Sequence, residues 1–267
     1  MISVQKQLIY TGFGIPLLFW GTLALCGILF GEYSHFSNLV SELGAAGTRT
    51  QVLFSLGLLF CSILSLAFVV GLYRECRKAQ MSVMPVLFVL TYTFSIAGAA
   101  IYPLPHRLHG VLGSPSIFLI LSPVLAFLLW RQTSSLAGIR LFSILSFLIM
   151  SLGFLAFLPS VLESYPGLKQ RFFHAGWSLW FAYLSVGFSG ILEQSRASTA
   201  SSGTSVLTSI GSRISRMLEE RAKPGGRNTT RSDRTVHSGT CPRVSSLLDK
   251  RKGSEPRFLD HRYSRLC

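Results

Sequence analysis

The sequence predicts an all-α protein, a polytopic bundle of six transmembrane helices followed by a basic and mostly disordered C-terminal tail. Two observations support this prediction. Only 13% of the 267 side chains are charged, about half the share of an ordinary soluble domain, while 49% are hydrophobic. The few charges are also unevenly placed, because they leave six segments of more than 20 residues without Asp, Glu, Lys or Arg.

The uncharged segments follow one another along the first 192 residues, and each predicts one membrane helix. A helix rises about 1.5 Å per residue, so about 20 apolar residues cross a hydrocarbon core about 30 Å thick. The first segment is longer than the apolar region of a cleaved signal peptide, so we expect it to remain as a helix. In chain order the segments are 7–31, 50–73, 79–106, 108–130, 141–162 and 172–192.

The net charge of +14 divides between two parts of different composition. Residues 8–193 are expected to form the six-span membrane domain, since the chain up to residue 193 carries a net charge of only +5. Residues 194–267 carry +9 and are rich in Ser, Thr, Gly and Arg, a composition that predicts disorder. A short amphipathic helix is predicted near 203–221, where apolar residues recur at helical spacing beside arginines.

The distribution of Lys and Arg predicts that both termini are cytoplasmic. Six spans place both termini on one side, and the N-terminal segment and the connections on that side carry six Lys or Arg residues against four on the other. The lipid bilayer is the expected partner, and the basic tail is placed to contact anionic lipid headgroups. No nucleic-acid partner is expected, because no aromatic residues alternate with the arginines of the tail.

Candidate functional residues gather at the predicted outer ends of the spans. Four of the six histidines lie there, together with Ser41 and Glu42. Neutral imidazole is a common zinc ligand, and zinc-bound water becomes a nucleophile near neutral pH. The pattern therefore offers a possible zinc site. Its candidate ligands are His106, His109, His174 and also His35.

Three classes of function remain open at this point, and the residues alone do not decide whether the protein is an enzyme. In a non-catalytic or lipid-associated membrane protein, Ser41 and Glu42 cap the first turn of the helix that enters the second span, and His109 hydrogen-bonds to Glu42. In a metal-dependent hydrolase of a lipid ester or amide, Glu42 is the general base and Ser41 stabilises the oxyanion. A small-solute transporter ranks lowest, because the centres of the spans lack ionisable residues.

Three motifs lie at or near the ends of the spans. Ser41-Glu42-Leu43-Gly44-Ala45 follows the first span, the segment 100–110 contains Tyr-Pro and Leu-His-Gly, and Gly176-Trp177 with Trp180 lies in the last span. Together these motifs resemble the DUF998 family of small polytopic membrane proteins over residues 8–193.

The resemblance implies six helices and an uncharacterised function, and it supports Glu42 and His109 as polar positions typical of that family. The arrangement of Ser, Glu and His at one membrane face is also similar to that of the seven-span ceramidase-like membrane hydrolases. That second likeness concerns the layout of the fold, and a fold by itself does not imply a function.

Overall fold

A computed structural model describes residues 4–131, 133, 136–158 and 160–222. Within these ranges the regular structure is entirely helical and contains no β-strand, so the predicted all-α fold is confirmed. Seven α-helices and three short 3-10 helices, labelled η, follow in chain order. They are α1 Val4–Phe30, η1 Val40–Gly44, α2 Gln51–Lys78, α3 Met84–Ile101, α4 Arg107–Gly113, η2 Ser114–Ile120, α5 Leu121–Leu129, α6 Ile139–Leu152, η3 Gly153–Phe157 and α7 Pro166–Ala222.

Six helical segments are long and apolar enough to cross a membrane, which confirms the predicted six-span bundle. The first three are α1, α2 and α3. The fourth joins α4, η2 and α5 over Arg107–Leu129, and the fifth joins α6 and η3 over Ile139–Phe157. The sixth is the first part of α7, Pro166–Gln194. Each span overlaps one uncharged segment, because charged side chains are costly in a hydrocarbon core.

The sixth span forms the centre of the bundle. Of its most apolar stretch 56% is buried inside the protein, a larger share than in any other span. Trp177, Trp180 and Phe181 are fully buried. The ring of Phe181 packs against Phe68 of α2 with centroids 5.6 Å apart, and Trp177 packs against Phe19 of α1 at 5.2 Å. These aromatic contacts join the first two spans to the last.

The start of α1 and the end of the sixth span lie at the same end of the bundle. Lys6 of α1 and Glu193 of α7 form an ion pair with a nitrogen–oxygen distance of 2.7 Å. An even number of spans requires this arrangement. The side of the membrane that this end faces stays a prediction.

Helix α7 continues beyond the sixth span to Ala222. The predicted domain boundary after residue 193 and the amphipathic helix predicted near 203–221 both fall within this one helix, and the boundary stays a prediction. Three of its apolar side chains near the end are exposed: Ile214, Met217 and Leu218. The tail from residue 223 lies outside the described residues, so its disorder and its contact with anionic headgroups also stay predictions.

At the other end of the bundle, Arg171 fastens the α1–α2 connection to the start of α7. Its guanidinium group donates to the hydroxyl of Tyr33 over 2.7 Å and to the carbonyl oxygen of Asn38 over 3.1 Å. Burial raises the pKa of the Tyr33 phenol, and the positive charge of Arg171 opposes that rise. These contacts position η1, whose residues line the candidate site.

Candidate functional site

A cavity of about 240 Å³ opens at the η1 end of the bundle. Five of the six spans and η1 contribute to its wall, which mixes aromatic and aliphatic side chains with serine, glutamine and histidine. No Asp, Glu, Lys or Arg among the described residues lines it. The lining residues are Phe19, Val40, Ser41, Phe54, Leu58, Tyr92, Ser95, Ile96, Ala99, His109, Gly110, Gly113, Ser114, Ser116, Gln170, Phe173 and His174.

The fold brings together three of the six residues that the sequence singled out. Ser41, His109 and His174 lie far apart in the chain, yet all three line this cavity. The other three do not line it: His35, Glu42 and His106.

Glu42 caps η1 from within. One carboxylate oxygen accepts a hydrogen bond from the backbone N–H of Leu39 over 3.2 Å, and the other accepts from the side-chain amide of Asn38 over 2.6 Å. This is the capping role that the non-catalytic interpretation expects, formed at η1 and not at the start of α2. Because both oxygens already accept hydrogen bonds, a general-base role for Glu42 would compete with the cap.

His109 is held by the residue that follows α3. Its Nδ1 lies 2.8 Å from the carbonyl oxygen of Tyr102. A carbonyl oxygen can only accept, so Nδ1 carries the proton and Nε2 keeps a free lone pair in the neutral ring. The predicted hydrogen bond between His109 and Glu42 is not formed, because each of these side chains has another partner. His109 therefore offers the cavity a hydrogen-bond acceptor.

His174 has the opposite arrangement. The indole Nε1 of Trp177, one turn further along α7, donates to Nδ1 of His174 over 3.0 Å. An indole nitrogen can only donate, so the proton of the neutral imidazole sits on Nε2. Phe19 packs against the imidazole with ring centroids 4.7 Å apart. Nε2 is buried and has no hydrogen-bond partner within the described parts of the chain, which leaves an unpaired donor on a side chain that lines the cavity.

Tyr92 supplies a second unpaired polar atom. Its side chain is 3% exposed, and its hydroxyl has no hydrogen-bond partner in the described chain. The ring packs against Trp177 at 4.8 Å and Phe181 at 5.2 Å between centroids, which fixes its position. Sequence reasoning missed this residue. The available signal was its place between Thr91 and Thr93, three consecutive hydroxyl side chains in a span whose other residues, apart from Ser95, are apolar.

Other hydroxyl groups of the wall are committed to the backbone at the α4–η2 junction. The Ser95 hydroxyl lies 2.9 Å from the carbonyl oxygen of Leu112 and accepts from the backbone N–H of Ser116 over 3.0 Å. The Ser116 hydroxyl donates to the carbonyl oxygen of Gly113 over 2.7 Å. The hydroxyl of Ser41, in contrast, makes no hydrogen bond to any described residue.

A second cavity of about 220 Å³ adjoins the first. The two share the lining residues Gly113, Ser114, Ser116, Gln170, Phe173 and His174. The wall that belongs to the second cavity alone is apolar throughout and consists of Ile117, Gly153, Phe154, Ala156 and Phe157. Gln170 is another residue that sequence reasoning missed. Its amide oxygen accepts a hydrogen bond from the backbone N–H of Val40 over 2.8 Å, so its amide nitrogen takes no part in that bond.

His106 and His35 are held by donors in the same way as His174. Nδ1 of His106 accepts from the backbone N–H of Leu108 over 3.1 Å and caps α4. Nδ1 of His35 lies 3.1 Å from the guanidinium group of Arg171. Burial and the nearby charge of Arg171 lower the pKa of His35. In the neutral form both rings therefore carry the proton on Nε2.

These contacts bear on the predicted zinc site. Of the four candidate ligands, only His109 presents a nitrogen lone pair that no hydrogen bond uses. Zinc at Nε2 of His35, His106 or His174 would require that ring to give up the bond at Nδ1. Within the described ranges no three His, Cys, Asp or Glu side chains are grouped closely enough to share a metal ion. The zinc site stays a prediction, with His109 as the ligand whose geometry fits it.

Comparison with known proteins identifies the family. A family model described as "Protein of unknown function (DUF998)" matches residues 14–187, which include every residue that lines the two cavities. No curated protein and no solved structure matches the chain. The matched range covers most of the six-span body, in agreement with the resemblance of its three motifs. The chain belongs to the DUF998 family.

Proposed function

We propose that this integral membrane protein is lipid-associated and non-catalytic, and that it binds the polar end of a lipid in the cavity at η1. One observation carries the proposal. The hydroxyl of Tyr92 and Nε2 of His174 are both buried, both lack a partner in the described chain, and both belong to side chains that line the same cavity.

Two unpaired polar atoms at one cavity favour a missing ligand. A buried donor or acceptor without a partner costs about 1–3 kcal/mol, and native proteins keep few of them. Neither side chain turns easily toward a partner in the protein, because Trp177 packs on Tyr92 and donates to His174. A ligand with oxygen acceptors relieves both atoms at once.

The remaining wall favours a lipid over a small polar solute. Ligand cavities typically combine apolar walls with a few placed polar groups. Here Phe19, Phe54 and Leu58 face the same space as the polar atoms, and no charged side chain of the described chain does. A cavity within six membrane-spanning helices meets amphiphiles from the surrounding bilayer at high concentration.

Filling the cavity tests this function. Full-length protein is purified in a mild detergent, and bound lipid is measured by native mass spectrometry. We expect wild type to retain lipid and Ala99→Phe, in the cavity wall, to lose it. Ala175→Phe, an exposed position on α7, is the matched control and should behave as wild type. If wild type retains no lipid and no added lipid raises its unfolding temperature, the proposal is wrong.

A metal-dependent hydrolase of a lipid ester or amide is the second candidate. The observation in its favour is that Ser41 and His109 line one cavity and that Nε2 of His109 is free to bind a metal or a proton. Metal analysis of the purified protein tests it. Stoichiometric zinc, together with ester or amide turnover that Ser41→Ala lowers, would support this candidate. Protein without zinc, whose stability is unchanged by a chelator, would exclude it.

A further inference from the structure

We infer that the two adjoining cavities form one site for an uncharged single-chain lipid whose head carries a carbonyl oxygen and a hydroxyl, the chemistry of a monoacylglycerol. The inference rests on the proposed lipid binding and names the class of lipid. It combines three features of the site: the pattern of donors and acceptors, the absence of charged side chains from the described residues of the walls, and the apolar second cavity.

The polar atoms of the first cavity fit a carbonyl next to a hydroxyl. Nε2 of His174 is a fixed donor, and the hydroxyl of Tyr92 and the amide nitrogen of Gln170 also have hydrogens to donate. A carbonyl oxygen can accept two hydrogen bonds, so it matches the two buried atoms in number. Nε2 of His109 is an acceptor, and the hydroxyl of the same head group is the donor that it requires.

The uncharged lining of the site disfavours ionised head groups. Neither cavity is lined by Asp, Glu, Lys or Arg from the described residues. An ionised group taken from water into such a site without a charged partner costs far more free energy than a neutral polar group. Phosphate, carboxylate and ammonium heads are therefore disfavoured against an ester with free hydroxyls.

The second cavity provides space for the hydrocarbon chain. It shares His174, Gln170 and Phe173 with the first cavity, and the wall that is its own has no polar side chain. A lipid with its head at His174 can therefore extend its chain along Phe173 toward Phe154 and Phe157. Among the described residues, one apolar cavity adjoins the polar cavity, and this number fits a lipid with one acyl chain.

Ligand selectivity provides the first test. Purified full-length protein in detergent is titrated with three lipids. Monooleoylglycerol is compared with oleyl alcohol, which lacks the carbonyl, and with oleoyl lysophosphatidylcholine, which has the same acyl chain but a charged head group. We expect monooleoylglycerol to bind about tenfold more tightly than oleyl alcohol, the effect of one satisfied buried hydrogen bond, and to exceed the lysophospholipid by a larger factor, because burying a charge costs more than losing one hydrogen bond. Equal or tighter binding of the lysophospholipid overturns the inference.

A pair of tyrosine variants provides the second test. Tyr92→Phe removes the unpaired hydroxyl and should weaken monooleoylglycerol binding about tenfold, and oleyl alcohol binding by a smaller factor because that lipid has no carbonyl oxygen. The matched control is Tyr73→Phe at an exposed position of α2, which should change neither affinity. In lipid-free protein, Tyr92→Phe should unfold at the same or a higher temperature, since the hydroxyl makes no bond in the described chain.

A variant that fills the second cavity tests its contribution to lipid binding separately from that of the first cavity. Ala156→Phe should weaken monooleoylglycerol binding, whereas Ala175→Phe should not. Lipid binding that is unaffected by Tyr92→Phe overturns the inference and leaves the proposed lipid binding in place. Absence of binding by any lipid overturns both. If Tyr92→Phe does not fold, the selectivity of wild type among the three lipids decides.

Discussion

The indole of Trp177 donates a hydrogen bond to Nδ1 of His174 over 3.0 Å, one turn away on α7. Because an indole nitrogen only donates, this contact places the proton of the neutral imidazole on Nε2 and gives the cavity a donor. At His109 the carbonyl oxygen of Tyr102 has the opposite effect and leaves Nε2 as an acceptor. Two residues of the same type thus take opposite roles at one cavity, and their neighbours decide which.

The coupling between Trp177 and His174 is measurable by a double-mutant cycle. Trp177→Phe and His174→Phe should each lower the free energy of unfolding in detergent. Their effects should be less than additive by about 1 kcal/mol, the typical net contribution of a hydrogen bond. Strictly additive effects in denaturant unfolding would show that the bond contributes nothing.

Gly176 allows the sixth span to approach α6. A Cβ atom at this position would lie 2.6 Å from the backbone nitrogen of Met150 and 2.5 Å from its Cγ, so backbone would have to move. We expect Gly176→Ala to lower the free energy of unfolding by about 1–3 kcal/mol. Gly190→Ala is the control on the same helix, since nothing lies within 4 Å of its added Cβ. That variant should be as stable as wild type or slightly more stable, because alanine favours helix.

The hydrogen bonds of Arg171 to Tyr33, Asn38 and His35, here called the Arg171 clamp, predict that two Arg→Lys substitutions differ in their effect on stability. A lysine cannot reproduce the fork of guanidinium bonds to Tyr33, Asn38 and His35. Arg171→Lys should therefore lower the free energy of unfolding by about 2 kcal/mol and speed proteolysis of the α1–α2 connection. Arg49→Lys, at an exposed position of the same connection, should leave both unchanged. Equal effects of the two variants would argue against the clamp.

His35 predicts a loss of stability in mild acid. Burial and the charge of Arg171 lower its pKa in the folded protein below the ordinary value of 6.5. The unfolded chain therefore takes up a proton first as the pH falls below that value, and the folded state loses stability down to the lowered pKa. Unfolding temperatures at pH 7.5 and pH 5.5, about one unit on either side of the ordinary pKa, measure the loss.

The variant His35→Gln isolates this contribution. Glutamine does not titrate, so the difference between the two pH values should be smaller than in wild type. An identical pH dependence in both proteins would show that His35 does not contribute to it.

The spans and the family were predictable because they depend on local composition and on short motifs. A run of about 20 residues without charge predicts a membrane helix whatever its neighbours are. The composite fourth and fifth spans were equally visible, since a short 3-10 segment does not interrupt an apolar run. The motifs that contain Ser41-Glu42, Leu108-His109-Gly110 and Gly176-Trp177 together carried the family resemblance.

The sequence predicted that Glu42 caps a helix but not which helix it caps. Capping follows from a carboxylate near a helix start, and the structure forms that cap at η1 with Asn38 and Leu39. The expected bond to His109 required two segments more than 60 residues apart to meet in one particular orientation. Nearby groups satisfy both side chains instead, because Glu42 accepts from the Asn38 amide and the Leu39 backbone and His109 bonds to the Tyr102 carbonyl oxygen, so that bond does not form.

The sequence by itself determined that this chain is a six-span, all-α member of its family, since the hydrophobic effect and the cost of burying charge act on local composition and the family's motifs are short segments of sequence. Only the tertiary structure decided which polar atoms meet. Ser41, Tyr92, His109 and His174 come from four different elements, and the proton of each imidazole is set by a neighbour that no periodicity reveals. Trp177 packs against Tyr92 and donates to His174, and so it holds two unpaired donors in side chains that line the cavity. Such contacts exist only once the helices are assembled.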